Sequence, residues 1–183
     1  MNLSRYFEEN FFIIPIRRND KRPIYKQWTD YQLSLQEARQ YLKDGYNLAV
    51  VSGQQSIKDG YQLAIIDIDH RLDGDAIEAY RMYGTWIQFT PGKGYHIFLR
   101  VRPHENVTKV TDYMKRWGLT PHRTTLNPHH EDNTFNGVSD KEHASYFADT
   151  VRGTSMYALI APSQVDGKSY WWLDNQKGEI LKL

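Results

Sequence analysis

The sequence contains no cysteine, which excludes disulfide bonds, thiolate metal sites and cysteine nucleophiles. It has no excess of either charge, because the formal net charge is +1, so nucleic acid could be bound only through local patches. No apolar run is long enough to span a bilayer, and the first residues lack the apolar core of a signal peptide. We therefore expect a soluble, cytoplasmic protein without a membrane partner.

The chain combines helical and strand patterns. Ser34 and Glu37 have the spacing of a capping box at the start of a helix over residues 34–45. The segments 47–53 and 61–69 are almost continuously apolar, as in strands that are buried on both faces. Because strands and helices follow neither a strict alternation nor an all-β pattern, we expect an α+β fold.

Residues 102–145 differ from the rest of the chain because they are polar, rich in turn-forming residues and have little to bury. Ser139 and Glu142 predict one more helical turn near the end of this segment. Adjacent histidines in the segment could bind a metal, but histidines on a polar loop are usually solvated, so we do not expect zinc. The expected organisation is a single domain over residues 1–183 with a polar insert at about 102–145.

Two aspartates occupy alternate positions at the end of the predicted strand 61–69. Because side chains at positions i and i+2 of a strand face the same way, Asp67 and Asp69 should lie about 6.6 Å apart on one face. Two neighbouring carboxylates repel each other unless their charge is compensated, and a divalent cation does this best. A strand that simply ends in solvated aspartates is the alternative. The pattern favours a metal site that could serve phosphoryl transfer.

A glycine turn follows between two further predicted strands. Gly92 and Gly94 allow backbone N–H groups to approach a phosphate closely, and Lys93 between them would add a positive charge. His96 could donate a hydrogen bond to a phosphate oxygen. A plain β-hairpin turn is the alternative, but an acidic pair followed by a phosphate-binding turn is what a nucleotidyltransferase requires.

Five motifs follow one another along most of the chain. They are the apolar strand and basic loop FFIIPIRRNDKRPIYKQW, then NLAVVSG, LAIIDID with its acid-x-acid ending, GKGYHIF, and YALIAPSQVDGKSYWW. Each is weak alone. In this order they resemble the primase–polymerase (prim-pol) domain of the archaeo-eukaryotic primase superfamily, which is found in replication proteins of plasmids, phages and archaeal elements.

The resemblance implies both a fold and an activity. The fold would be a two-lobed α+β core with an RRM-like sheet that carries the acidic motifs. The activity would be template-directed nucleotidyl transfer from dNTPs or NTPs with Mg²⁺ or Mn²⁺. Asp67 and Asp69 would hold the metals, and His96 would contact the triphosphate of the incoming nucleotide, together with Lys93 and the turn backbone at Gly92 and Gly94.

The third acidic motif of the family is irregular in this chain. Its usual spacing from the following tyrosine, Tyr157, leads to Thr150, and Asp149 lies one residue away. One extra residue between Arg152 and Tyr157 would bring Asp149 into place, so we assign Asp149 as the third catalytic and metal-binding acid. Arg152, just after the motif, would contact the nucleotide triphosphate.

Basic residues cluster in the loop after the first predicted strand, where they could contact template or primer phosphates; a solvated loop is the alternative. A second basic cluster surrounds Trp117, and aromatic side chains among bases suit single-strand stacking. The implied partners are a single-stranded template, a primer and nucleotides, and in addition a helicase domain or other replication proteins. The first cluster comprises Arg17, Arg18, Lys21, Arg22 and Lys26.

Three functions remain open from the sequence. The leading one is a DNA primase–polymerase of a mobile element, working by a two-metal mechanism. The second is a catalytically inactive prim-pol fold that binds single strands or nucleotide, which the irregular third motif supports. The third is a glycosyltransferase whose Asp-x-Asp pair binds the metal of a nucleotide sugar, although the glycine turn and the YALIAPS segment then have no role.

Overall fold

The chain folds as a mixture of short helices and largely antiparallel sheets, seen in a computed structural model. This confirms the α+β class, whereas the two lobes, the RRM-like sheet and the single-domain organisation remain predictions. No helix in the described part of the chain is long and apolar enough to cross a membrane. The structure describes residues 3–68, 85–92, 94–103, 109, 112–113, 120–124, 143–147, 156–173 and 178–183.

Three helical segments lie near the start of the described chain: α1 (Ser4–Glu8), a 3₁₀ helix (Trp28–Asp30) and α2 (Leu35–Lys43). The predicted capping box opens α2. The Glu37 N–H donates to the Ser34 hydroxyl at 3.3 Å, and the Ser34 N–H donates to the Glu37 carboxylate at 2.7 Å. These bonds satisfy N–H groups that the first turn of a helix cannot pair internally.

Strands form most of the regular structure in the described residues. Two long strands run through the centre of the larger sheet, and the others are short. In chain order the strands are β1 (Phe12–Ile16), β2 (Asn47–Val51), β3 (Gly53–Lys58), β4 (Tyr61–Ile68), β5 (Ile87–Phe89), β6 (Tyr95–Val101), β7 (Thr120–Thr124), β8 (His143–Phe147), β9 (Tyr157–Ile160), β10 (Gln164–Val165), β11 (Lys168–Ser169) and β12 (Trp171–Trp172).

These strands make two sheets and a hairpin. The smaller sheet has the antiparallel order β1–β2–β9, and β1 is an edge strand, which accommodates Pro15. The larger sheet has the order β12–β5–β6–β4–β8–β7, with β3 also paired to β4. Within it, β7 and β8 are parallel. The β10–β11 hairpin turns at Asp166 and Gly167, which both have positive φ.

The core contains side chains of both sheets and is rich in aromatic rings. Phe11 stacks on Tyr6 and on Phe98, with ring centroids 5.8 Å and 5.9 Å away. The polar atoms of the cluster are paired, since Trp172 Nε1 donates to the Tyr6 hydroxyl at 2.6 Å and that hydroxyl donates to the Ala161 carbonyl at 2.7 Å. This packing and these bonds fix how the two sheets sit against each other, which matters for a site built from both.

The segment SDKEHASYF corrects one prediction. We expected a helical turn here, but His143–Phe147 is strand β8, between β4 and β7. Pairing with a strand on each side outweighs a local capping signal. Strands β7 and β8 thus come largely from the segment 102–145 that we expected to be a polar insert. Most of the remaining insert lies outside the described residues.

Candidate active site

Asp67 and His96 lie opposite each other on two neighbouring strands of the larger sheet. Asp67 is near the end of β4, His96 is near the start of β6, and the ladder pairs them directly. The Nε2 atom of His96 is 3.5 Å from Oδ1 of Asp67. His96 is almost fully buried, whereas 23% of the Asp67 side chain is exposed, so its carboxylate can reach a ligand from solvent. The acidic motif that contains Asp67 and the glycine-turn motif that contains His96 are therefore adjacent in the structure.

The buried amide of Gln88 holds the His96 ring. Gln88 lies in β5 with no exposed surface and pairs with His96 in the ladder. Its Oε1 accepts a hydrogen bond from the Ala161 N–H at 2.7 Å, and its Nε2 donates to the Leu159 carbonyl at 2.8 Å. The same Nε2 lies 3.0 Å from Nδ1 of His96. Gln88 thereby ties the histidine of the larger sheet to the end of β9 in the smaller one.

These contacts assign the tautomer of the neutral His96 ring. Because Oε1 of Gln88 accepts from a backbone N–H, the other atom of the amide is the donor, and Nδ1 of His96 must accept. The ring proton then sits on Nε2, the atom that faces Asp67. An N–H in this position can donate to an anionic oxygen, either of the aspartate or of a bound ligand.

A cavity of about 280 Å³ opens beside this pair. Tyr170 forms part of the wall, and its ring centroid is 5.9 Å from that of His96. Burial, with a contribution from the charge of Asp67, raises the pKa of Tyr170 to about 12, so its hydroxyl keeps its proton at neutral pH. The described lining residues are Lys21, Asp67, His96, Met156, Tyr157, Ala158, Leu159 and Tyr170.

The basic loop after β1 brings Lys21 to this cavity. The Asn47 amide holds the loop, because its Nδ2 donates to the Asp20 carbonyl at 3.1 Å and to the Gln164 carbonyl at 2.7 Å. The Asp20 carboxylate accepts from the Lys21 N–H at 2.6 Å. We predicted Lys21 as a nucleic-acid contact, and the structure places it in the wall of the cavity that contains Asp67.

The other basic residues of the loop have different surroundings. Arg22 forms an ion pair with Asp20 at 2.7 Å, and the hydrogen bond from Arg22 lowers the pKa of Asp20 to about 2. The Arg18 guanidinium carbon lies 4.5 Å from the centre of the Tyr46 ring. Because of its ion pair with Asp20, the positive charge of Arg22 is partly compensated. Three further basic residues of the loop are exposed, namely Arg17, Arg18 and Lys26.

The glycine turn closes as a hairpin between β5 and β6. The Thr90 N–H donates to the Gly94 carbonyl at 3.0 Å, and the Gly94 N–H donates to the Thr90 hydroxyl at 3.1 Å. The Gly94 N–H is thus engaged within the turn. A Cβ at Gly92 would meet open space, so this glycine is accessible to a ligand. Lys93 lies outside the described residues.

The predicted metal ligands are described only in part. Asp67 supplies carboxylate oxygens, which are the donors that Mg²⁺ and Mn²⁺ prefer. Asp69, Asp149 and Arg152 lie outside the described residues. Within the described part of the chain, no group of three or more acidic or histidine side chains is placed to hold a metal ion. The donor that is present suits a hard divalent cation, and the complete ligand set remains a prediction.

The register of β8 matters for Asp149, the predicted third acidic ligand. The antiparallel ladder places Ser145 opposite Asp67 and Phe147 opposite Ile65. Strand β8 therefore passes Asp67 four residues before position 149, running toward the beginning of β4. Within the described residues, β8 therefore places no acidic residue opposite Asp67.

Sequence reasoning did not find Gln88, Asn47 or Tyr170. The signal for the two amides was available, since each is a single amide in an otherwise apolar strand, and a buried amide must be hydrogen-bonded. Their partners, however, lie 71 and 117 residues away in the chain. No local pattern identifies such partners.

A comparison with protein-family models adds a separate finding. The model described as "Bifunctional DNA primase/polymerase, N-terminal", named Prim-Pol, matches residues 3–183. The matched range includes all the described strands, among them β4 with Asp67 and β6 with His96. No curated protein matches the chain.

Proposed function

Because the chain belongs to the Prim-Pol family of bifunctional DNA primase/polymerases, we propose that it is a nucleotidyltransferase that copies a DNA template with dNTPs or NTPs. We place this activity in the replication of a mobile element. The observation that carries the proposal is the direct pairing of Asp67 with His96 at the edge of a cavity that also contains Lys21. A carboxylate, an N–H donor and a cation around one cavity are what binding a nucleoside triphosphate requires.

The described residues would act mainly by binding and orienting the incoming nucleotide. The Nε2–H of His96 would donate to a phosphate oxygen, and the Lys21 ammonium would offset the phosphate charge. Gly92 would let the turn backbone approach the triphosphate, with Lys93 beside it. Gln88 keeps the His96 proton on the cavity side. This geometry would hold the triphosphate before the nucleotide is added to the primer end.

Asp67, with Asp69 and Asp149, would hold Mg²⁺ or Mn²⁺. Such ions, when bound, polarise the phosphoryl group and stabilise the charge that develops on the attacking and leaving oxygens. Arg152 would contact the same triphosphate. Exposed Arg17, Arg18 and Lys26 would contact template or primer phosphates, and Arg22 less strongly because Asp20 already pairs with it.

One observation favours a second candidate function. Ser145, and not an acidic residue, lies opposite Asp67 on β8. If Asp149 does not reach the site, the chain would bind nucleotide or single strands without turnover. Membership of the Prim-Pol family leaves the glycosyltransferase alternative without support.

Primer extension on a single-stranded template tests the proposal. The assay uses Mn²⁺ or Mg²⁺, dNTPs or NTPs, and templates with and without a primer. Asp67→Asn, Asp69→Asn and Asp149→Asn should each lower the rate by about 100-fold or more, because each removes a metal ligand. Asp166→Asn is the control, since Asp166 is exposed in the β10–β11 turn and asparagine tolerates its positive φ.

The outcomes separate the two candidates. Extension by the parent and the control, but by none of the three variants, supports the proposed activity. Full activity of Asp149→Asn would remove Asp149 from the ligand set. DNA binding without extension by the parent under every condition would favour the inactive binding module.

A further inference from the structure

A stacked aromatic pair lies exposed at the edge of the larger sheet. Trp171 in β12 lies flat on Phe89 of β5, with ring centroids 4.0 Å apart and the planes 12° from parallel. Although one face of its ring is covered, Trp171 keeps 52% of its surface exposed. The neighbouring Trp172 is buried in the core, as expected for the opposite side of one strand. The exposed indole therefore does not serve the core.

A cavity of about 610 Å³ adjoins this pair. Its volume falls in the range of small-molecule sites, which suits a nucleobase with its sugar. Lys168 provides a positive charge, and Thr90 and Ser169 provide hydroxyl groups. No carboxylate belongs to the described lining, so an anionic ligand would meet no repulsion from it. The lining residues described are Phe89, Thr90, Pro91, Tyr95, Lys168, Ser169 and Trp171.

The cavity is distinct from the one that contains Asp67. Trp171 pairs with Phe89, and Phe89 pairs with Tyr95, so these three side chains share one face of the sheet. Gln88 and His96 pair with each other and point to the opposite face. Pro91 connects the aromatic cavity to the glycine turn, which the proposed function assigns to the incoming nucleotide. The two cavities thus lie on opposite faces at the same end of β5 and β6.

We propose that Trp171 stacks on an unpaired base of the single-stranded template, with Lys168 close to the adjoining phosphate. A flat, exposed indole supported from below by Phe89 is rigid and offers a π-face that any base can use. Lys168, with no carboxylate in the described lining, suits a phosphate beside the stacked base. The inference deepens the proposed function and rests on it, since it assumes that the chain acts on a template.

Binding of a fluorescently labelled oligothymidylate, measured by anisotropy in EDTA without nucleotide, tests this stacking platform, the Trp171 ring on Phe89, separately from catalysis. Trp171→Leu keeps an apolar side chain but removes the π-face, whereas Trp171→Phe keeps a ring. We expect Trp171→Leu to weaken binding by roughly 5- to 150-fold, as for the loss of one base–aromatic stack, and Trp171→Phe to stay within a few-fold of the parent. Ile57→Ala, which truncates another exposed apolar residue, should bind like the parent.

A second substrate sharpens the test. An oligonucleotide with a single abasic position, moved along its length, should bind the parent most weakly at one position and should show no such minimum with Trp171→Leu. Equal binding by Trp171→Leu and the parent, equal losses in the Leu and Phe variants, or no binding by the parent would each overturn the inference. Primer extension that depends on Asp67 while Trp171→Leu binds normally would leave the proposed function standing and remove only the platform. Conversely, a stacking effect without any extension would retain the platform in a non-catalytic protein.

Discussion

Replacing Gln88 with methionine tests whether this amide sets the state of the His96 ring. Methionine has a similar length but offers no hydrogen-bonding amide. The change removes three hydrogen bonds, to His96 Nδ1 at 3.0 Å, to the Leu159 carbonyl at 2.8 Å and from the Ala161 N–H at 2.7 Å. All three are within the buried interface between the sheets, so water cannot readily replace them.

The expected effect on stability follows from these bonds. A buried hydrogen bond contributes about 0.5–1.5 kcal/mol net, so Gln88→Met should lower the free energy of unfolding by roughly 1.5–4.5 kcal/mol. Gln62→Met is a matched control, because Gln62 is equally buried in the same sheet but its amide makes only one long hydrogen bond in the described structure, from Gln54 Nε2 to Oε1 at 3.4 Å. The control should cost less than about 1 kcal/mol. Urea unfolding of both variants measures the difference.

The expected change in the tautomer of His96 can be measured by NMR. In the parent, ¹⁵N chemical shifts of the neutral ring should show the proton on Nε2, since Nδ1 accepts from Gln88. In Gln88→Met the ring is free to take the other tautomer and to rotate. Primer extension, measured where the variant is still folded, should fall on the order of 10- to 100-fold because the N–H donor is no longer held in place.

Three results would each contradict part of this reasoning. A proton on Nδ1 of His96 in the parent would mean that the amide does not donate to the ring. Equal stability losses in Gln88→Met and Gln62→Met would mean that the bonds across the two sheets contribute little. Loss of stability with an unchanged tautomer and unchanged extension would limit Gln88 to a structural role.

Two further predictions concern other charged side chains. Arg100→Met should lower the free energy of unfolding, measured in urea, by about 3–5 kcal/mol, because it leaves the buried Glu9 carboxylate without its buried partner. Lys58→Met, at the more exposed side of the same carboxylate, should lower it by only about 0–1 kcal/mol. Similar losses in the two variants would contradict this prediction. NMR titration of Asp20 should give a pKa of about 2, and Arg22→Gln should raise this pKa toward 3.8, the ordinary value of an aspartate. Because the folded pKa is depressed, the stability from this pair is present above about pH 4 and is lost as pH falls through about 2, so an unshifted Asp20 would exclude any such dependence.

The local elements were the part of the fold that could be predicted from sequence. The capping box at Ser34 and Glu37 marked the start of α2, and the apolar runs marked β2 and β4. These signals depend on neighbours a few residues apart, which a sequence displays directly. The place of β8 beside β4 depends on pairing between distant segments, and it overrode a local helical signal.

The sequence also identified part of the candidate site. Motifs on two predicted strands singled out Asp67 and His96, and the ladder pairs the two residues directly, while their catalytic roles remain a prediction. The network that orients His96 was not foreseen, because Gln88 bonds to groups at Leu159 and Ala161 that only the docking of the two sheets brings near. Lys21 reached the cavity for the same reason, since its loop is held by Asn47.

The last described residues lie at the end of β6 that is far from the cavity. The Arg100 N–H donates to the Leu181 carbonyl at 2.8 Å, and the Leu183 N–H donates to the Arg100 carbonyl at 2.9 Å. Arg100 lies four positions after His96 in β6, a distance of about 13 Å along the strand. A fluorophore or surface tether attached at Leu183 would therefore lie at the end of β6 that is far from Asp67. Single-molecule or surface-bound experiments can use this attachment point while the cavity stays open to DNA.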